Sequence, residues 1–583
     1  MRSLRCLAIV AAISIAQAPY VSAAAPEVRG TWLTTTNEDH IRSGSNTATV
    51  IRDLRNIGLN AVYVETWKNG YTNFPSRVLK SVIATTDRNP TIGASRDLVQ
   101  ETLIQAHRQG MNYFGWFEYG AMTEYVGAGG NPSNLLSNYM KSRGWLLQNQ
   151  AGEYADGTNG GFAFMNVAVP EVRQFILDMT LEAVNRYDFD GIQFDDHMAW
   201  PANFGFDATT LGLYTSQTGN AAPISPTNSQ FSAWRQQQVT AFADQLYSAV
   251  KAARPELVVS ISPSTTNFST TQYNANWPLW ESQGLFDEFA VQMYRDNISS
   301  FNSIVNGQVN PFKPSDLDKL VMGLRINPAS SATPYADVQQ MIERSRSEGA
   351  AGHSLWYSAG VRDLYGPQLT GFYDVAGQGH SLNPQFPVDW RPTSLVAVTI
   401  GGTPDMWSVE VTAAGRYRIV ARLGSNANSA WSEIAAVELS AGMHQFSLLG
   451  AREVEFLVDR RSPSSFLADF NGDLLVDGAD FMLWQRGFAA PVAIPSSGDA
   501  NRDGNIDAKD LMTWKFNHGT FLAAPSFAGH SVPEPAAWLR ETAAAFLIAI
   551  GRGRRLAADA IRSESLPPSH RRRSLPQVLV KAK

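Results

Sequence analysis

The chain has 583 residues, 44% hydrophobic and 11% aromatic, enough for one large domain with smaller ones beside it. Its formal net charge of -6 and isoelectric point near 5.9 leave no basic surface to displace phosphate counterions, which excludes nucleic acid as the main partner. The only cysteine, Cys6, stands at the start, so stability must come from the core and from metal ions rather than disulfides.

Arg2 and Arg5 precede an apolar run, Leu7 to Ala16, and Val21-Ser22-Ala23 offers a small-x-small cleavage pattern. Residues 1–23 therefore read as a signal peptide of an exported protein. A run of this length falls short of the roughly twenty residues a membrane span needs.

From Val28 to about Tyr357, short apolar runs alternate with amphipathic stretches. Strands are predicted at Arg29-Thr35, Asn60-Thr66, Asn112-Phe117, Gly191-Phe194, Leu257-Ser262, Glu288-Tyr294, Leu320-Ile326 and Gly352-Tyr357. Between them, Val172 to Tyr187 and Phe231 to Ala253 carry apolar residues every three or four positions, as helices covering a sheet do. Alternating strands and helices over residues 26–375 predict an α/β fold, a (β/α)8 TIM barrel, with the Gly-, Asn- and Ser-rich stretch Tyr119 to Gly161 as an insertion after the third strand.

In such a barrel the carboxyl ends of the strands form the catalytic mouth. The predicted ends bear Glu65 and Trp67, Trp116 and Glu118, Asp195-Asp196-His197, Tyr294 and Asp296, and Trp356. Cleaving a glycosidic bond takes one carboxyl group to protonate the departing oxygen and a second to attack the anomeric carbon or activate water. Asp195, on the inward-facing alternation, is the candidate for the unprotonated partner. Glu118, boxed by Trp116, Phe117 and Tyr119, is the candidate acid, because aromatic walls raise a carboxyl's pKa. Asp196 competes for that role or serves as a turn or helix cap. His197 reads as a hydrogen-bond partner or a metal ligand. Glu65, Trp67, Trp116, His197, Tyr294, Asp296 and Trp356 are expected to contact substrate; the bland alternatives are that Glu65 and Glu118 pair with Arg29 or Arg295 and that the tryptophans are core.

The ordered segments VRGTWLTT, NAVYVETWKNGYTNFPS, GWFEYG, MNVAVPEVRQFILD, YDFDGIQFDDH, VSISPS and GLFDEFAVQMYRD resemble the bacterial glycosyl-hydrolase-like 10 family, the YngK/DigH group. The resemblance implies a polysaccharide hydrolase of the envelope or exterior, with peptidoglycan glycan strands lacking stem peptides as a candidate substrate and no catalytic cofactor. Its DGxQFDD element falls on Asp190, Asp195 and Asp196. A more distant similarity to the chitinase-type pattern places His197 where that pattern has its glutamate acid, which argues against a simple chitinase mechanism.

Residues 385–462 alternate as an antiparallel β-domain, expected to be sandwich-like. Two copies of an acidic loop follow: Asp469, Asn471, Asp473, Asp477 and Asp480, then Asp499, Asn501, Asp503, Asp507 and Asp510. These oxygens fall at positions 1, 3, 5, 9 and 12 of a calcium loop. Each copy runs into an amphipathic stretch, and the whole, residues 466–520, resembles a type I dockerin, a small all-α module that implies structural calcium and a cohesin-like partner. Val532-Pro533-Glu534-Pro535, the apolar run Ala543 to Ile550 and the basic cluster from Arg552 resemble a PEP-CTERM sorting signal over residues 531–556, which implies membrane or cell-surface sorting; residues 557–583 read as a disordered tail. The expectation is a secreted or cell-surface glycoside hydrolase, with a non-catalytic carbohydrate-binding or scaffold protein as the alternative.

Overall fold

The computed structural model describes residues 24–518, apart from 37–38, 94–95, 327–331, 401–404, 425–429, 462–467, 472–475, 489–497 and 501–504. Every described residue falls in one compact unit. The signal-peptide reading, the sorting segment, the tail and the loop residues Asp473, Asn501 and Asp503 lie outside the described residues.

Eight parallel strands close into a barrel: β1 (Val28–Leu33), β2 (Ala61–Glu65), β3 (Asn112–Phe117), β4 (Gly191–Asp195), β5 (Val258–Ser262), β6 (Glu288–Gln292), β7 (Leu320–Arg325) and β8 (Gly352–Trp356). Each strand pairs with its sequence neighbours, and β1 closes the ring on β8 with Val28 opposite Gly352. All eight coincide with the predicted runs to within one or two residues at either end; β1 begins one residue earlier and β4 runs one residue further, to Asp195. Side-chain alternation then divides the core. Trp32, Tyr63, Phe114 and Trp116 fill the barrel interior, while Val62, Val64, Phe117 and Phe194 face the helices. Phe117 and Phe194 stack across β3 and β4 at 5.1 Å and 4°, a contact worth about 0.5–1.5 kcal/mol beyond its buried area.

The helices start where the sequence supplies caps: Ser43 for Gly44–Ile57, Asp97 for Leu98–Arg108 and Asn228 for Ser229–Ala253 each accept a backbone N–H of the first turn. The insertion after β3 is not a plain loop. It holds a short hairpin, Met122–Tyr125 with Phe162–Phe164, and the helix Leu135–Ser142. None of the helices among the described residues is long and apolar enough to cross a membrane.

Below the barrel the chain folds back across the amino-terminal strand ends. Phe386 meets Phe114 edge-on at 6.2 Å, plugging the interior. Two antiparallel sheets follow, one of four strands ending on Trp431–Leu439 and one of three, and they share an apolar core that includes Trp407, Ile419 and Phe456. Arg108, at the end of its barrel helix, pairs with Glu455 of the first sheet and lies 3.9 Å over the ring of Trp431. Beyond these sheets stand two helices, Gly478–Gly487 and Ala508–Asn517. Trp484 donates its indole N–H to the Asp507 carbonyl at 3.0 Å, and Trp514 donates to the Asp477 carbonyl at 2.8 Å, so each copy of the repeat grips the other.

Candidate active site

The end of β4 delivers Asp195 inward by the same alternation that turns Phe194 outward. Its Oδ1 accepts two hydrogen bonds, from the Gln292 side-chain amide at 2.5 Å and from the Asp196 backbone N–H at 2.7 Å. Among the described residues no arginine or lysine pairs with it. Burial, then the negative charges of Asp196 and Glu118, push the Asp195 carboxyl well above the usual carboxylate range. The sequence reading expects Asp195 as the unprotonated partner, whereas burial and these two neighbouring charges favour its acid form.

Asp196 is partly exposed and accepts a hydrogen bond from the Ser264 hydroxyl at 2.6 Å. His197 turns Nδ1 toward the Glu118 carbonyl at 3.2 Å and toward Asp196 at 3.4 Å. By distance alone Asp195, Asp196 and His197 could share a cation, since their ligand atoms lie within 4.8 Å of one another. A ring nitrogen that faces a carbonyl must carry the proton, however, and so offers no lone pair from that side. Gly120, at φ 46°, lets the loop after β3 lie against His197; a Cβ there would stand 2.6 Å from the His197 backbone.

Glu118 meets Lys68 at 2.7 Å, and Lys68 also reaches Glu65 at 2.9 Å. Burial raises Glu118 to about 8 even though Lys68 pulls the other way. Glu65 is fully buried and receives the hydroxyls of Thr34 and Thr35, the Thr35 N–H and the Asn73 amide. Against the upward push of burial, Lys68 and these donors hold it below its ordinary value. Glu65 is thus the anchor of Lys68 and not a substrate contact. Neither Glu65 nor Glu118 uses the arginines considered above: Arg29 binds Glu27 at the opposite end of the barrel, and Arg295 donates to the Tyr294 carbonyl.

The other expected contacts divide. Trp356 stacks on Tyr294 at 6.0 Å, and both are only half-buried, so this pair does face the mouth. Burial and the charges of Asp195 and Asp196 push the Tyr294 phenol well up, leaving it a neutral hydrogen-bond donor. Trp116 is buried one layer below Glu118, edge-on to Trp356 at 5.8 Å. Trp67 is buried outside the barrel against Phe175, because β2 stops at Glu65 and the chain turns into a hairpin. Asp296 sits exposed on the rim, paired with Arg325. Asp190 is at the wrong end of β4 for chemistry: it binds His107, the Tyr113 N–H, Trp390 and Arg391 beneath the barrel. Sequence reasoning missed Lys68, Gln292 and Ser264; only Gln292, on the inward alternation of β6, carried a positional signal.

An eight-stranded parallel barrel with acids and aromatic rings at the carboxyl ends of its strands defines a (β/α)8 protein with a mouth suited to carbohydrate. Residues 27–358 match the family described as Glycosyl hydrolase-like 10, and the chain belongs to that family of carbohydrate-active proteins. It is 23% identical over 272 residues to the glycosyl hydrolase DigH of Escherichia coli (strain K12), covering 41% of this chain and 56% of that protein. To the glycosyl hydrolase YngK of Bacillus subtilis (strain 168) it is 22% identical over 266 residues, 42% of this chain and 48% of the other. The chain thus spans about half the length of these relatives. The glycoside hydrolase domain of PgaB (BpsB) from Bordetella bronchiseptica aligns with a TM-score of 0.45 at 16% identity, over 60% of this chain and 98% of that one.

Proposed function

We propose that the protein is a glycoside hydrolase acting on a polysaccharide, with Asp195 as the general acid. The observation that carries this reading is the held carboxyl of Asp195. Two donors fix Oδ1, no cation neutralises the group among the described residues, and burial with the neighbouring charges of Asp196 and Glu118 favours its acid form. Protonating a departing glycosidic oxygen needs such a group, and a positioned acid contributes about 10²–10⁴ in rate. Asp196, hydrogen-bonded by Ser264 and closer to solvent, is the adjacent negative charge that steadies an oxocarbenium-like transition state or directs its attacker. Glu118 stands by as a second protonatable carboxyl, tethered by Lys68. Tyr294 and Trp356 offer a donor and an apolar face to the sugar at the cleavage point.

Peptide-free peptidoglycan glycan strands are the proposed substrate, on the strength of the sequence resemblance. The test is product release by the full chain from these strands and from a panel of plant and algal polysaccharides. Asp195→Asn should lower the rate at least about 100-fold while the melting temperature holds. Binding without turnover by the parent protein would favour the non-catalytic carbohydrate-binding reading instead.

Export through residues 1–23 and surface sorting through residues 531–556 belong to the same proposal. So does structural calcium. Asp469, Asn471, Asp473, Asp477 and Asp480 would hold one ion, and Asp499, Asn501, Asp503, Asp507 and Asp510 a second, with a cohesin-like protein as partner. The described part of the first loop fits: Asp480 accepts the N–H groups of Phe470 at 2.7 Å and Asn471 at 3.2 Å, which curls the loop's start onto its end. Calcium would supply stability there and no chemistry.

A further inference from the structure

Five rings run in unbroken contact beside the carboxylates. Tyr125 lies 5.0 Å from Phe162, Phe162 lies 5.3 Å from His197, His197 lies 6.3 Å from Tyr273, and Tyr273 lies 5.0 Å from Phe268. The row crosses three adjacent strand ends. Tyr125 and Phe162 come from the hairpin after β3, His197 from the end of β4, and Tyr273 and Phe268 from the segment after β5. Its centre is anchored, with Tyr273 only 6% exposed; its two ends are open, Tyr125 at 58% and Phe268 at 41%. Single exposed aromatics are ordinary, but two at opposite ends of one continuous row are not scattered surface residues. Asp196 stands 3.4 Å from His197, so the row passes directly beside the acid pair.

Resting on the glycosidase reading, we infer that this row is a binding ledge for the part of a glycan chain that lies beyond the bond being cleaved. A pyranose offers a C–H face that packs on the electron-rich face of an aromatic ring while its hydroxyl edges stay in water. The ledge runs across the mouth and not down into it. It therefore accommodates a polymer threaded past the acids, and the enzyme cuts within chains. The wider mouth keeps its own pair, Tyr294 with Trp356, for the sugar at the cleavage point.

The test uses the full chain with Tyr125→Ala and Phe268→Ala, substitutions at exposed positions that the fold tolerates, and Met443→Ala, exposed on the β-domain, as control. Binding to peptide-free peptidoglycan glycan strands, chitosan and mixed-linkage β-glucan is measured by co-sedimentation, and kcat/KM is compared on the polymer that is cleaved and on a disaccharide aryl glycoside of the same sugar. The ledge predicts a loss of about fivefold in polymer affinity per ring, a larger loss of kcat/KM on polymer than on the short substrate, and no loss with Met443→Ala. Equal losses on long and short substrates, unchanged binding in both ring variants, or no binding of any of the three polymers by the parent overturns it. If the parent binds without turnover and the ring variants lose that binding, the glycosidase reading fails while the ledge stands.

Discussion

Strand β4 carries buried acids at both ends, and the two ends have opposite fates. Beneath the barrel, Arg391 binds Asp188 at 2.8 Å and Asp190 at 2.6 Å, fully buried Arg418 lies 3.4 Å from Asp188, and His107 and the Trp390 indole complete the shell around Asp190. Against the upward push of burial, Arg391 and His107 hold Asp190 far below the usual carboxylate range. At the mouth, Asp195 is also buried, but its neighbours are Asp196 and Glu118, and its pKa moves the other way. One residue type on one strand is therefore structural where cations saturate it and chemically poised where they are withheld. The arginines that saturate the lower end come from beyond the barrel, which makes the β-domain part of the barrel's own stability.

The largest effect should come from breaking the lower end. Arg391→Met leaves two buried carboxylates short of their main partner and should cost about 3–5 kcal/mol in denaturant unfolding. A chain stopped at residue 375 loses Arg391, Arg418 and Trp390 together and should not yield a soluble barrel. A loss under about 1 kcal/mol for Arg391→Met, or a well-folded short chain, breaks the comparison.

The upper end should respond in the reverse sense. Asp195→Asn removes an uncompensated buried acid, so turnover falls by about 10²–10⁴ while stability holds or rises. A variant that loses both in parallel would make Asp195 a structural residue like Asp190.

The pH dependence of melting separates the ends more finely. Asp190 and Glu27, the latter lowered to about 2 by Arg346 and Arg29 against the pull of burial, contribute stability that is present above the ordinary carboxylate pKa and is lost as the pH falls through their folded values. Glu118, raised from 4.5 to about 8, works oppositely: its contribution is fully present below pH 4.5 and is lost as the pH rises toward 8. Glu118→Gln should therefore lift the melting temperature on the neutral-to-alkaline side and leave the acid side unmoved; a change confined to the acid side would contradict this. The smallest effect belongs to a third set of acids, those of the loops at 469–480 and 499–510, which have a cation proposed from solution. Calcium should raise the melt of the C-terminal helices by a few degrees, and EDTA should reverse it, without shifting the barrel's transition.

These contrasts mark what could be read from the chain beforehand. The eight strands were legible because each is a short apolar run whose length and flanking turns suit a buried strand. Asp195 and Asp196 were legible because they follow such a run directly. The direction of Asp190 was not, since its main cation, Arg391, lies 201 residues further on. Lys68 escaped notice because a lone lysine in a short hairpin carries no sign that Glu118, fifty positions later, folds onto it. Trp67 misled because alternation holds only while the strand lasts, and β2 ends at Glu65. The ledge rings Tyr125, Phe162, Phe268 and Tyr273 sat in segments without periodicity, and only the folded hairpin and helix bring them into one row.

The most direct test of the central contrast needs no substrate. Infrared difference spectra of the full chain at pH 6, parent minus Asp195→Asn and parent minus Asp190→Asn, report whether each carboxyl is protonated. The account predicts a protonated-carboxyl C=O band lost with Asp195 and only carboxylate bands lost with Asp190. Carboxylate bands alone in both spectra would contradict it.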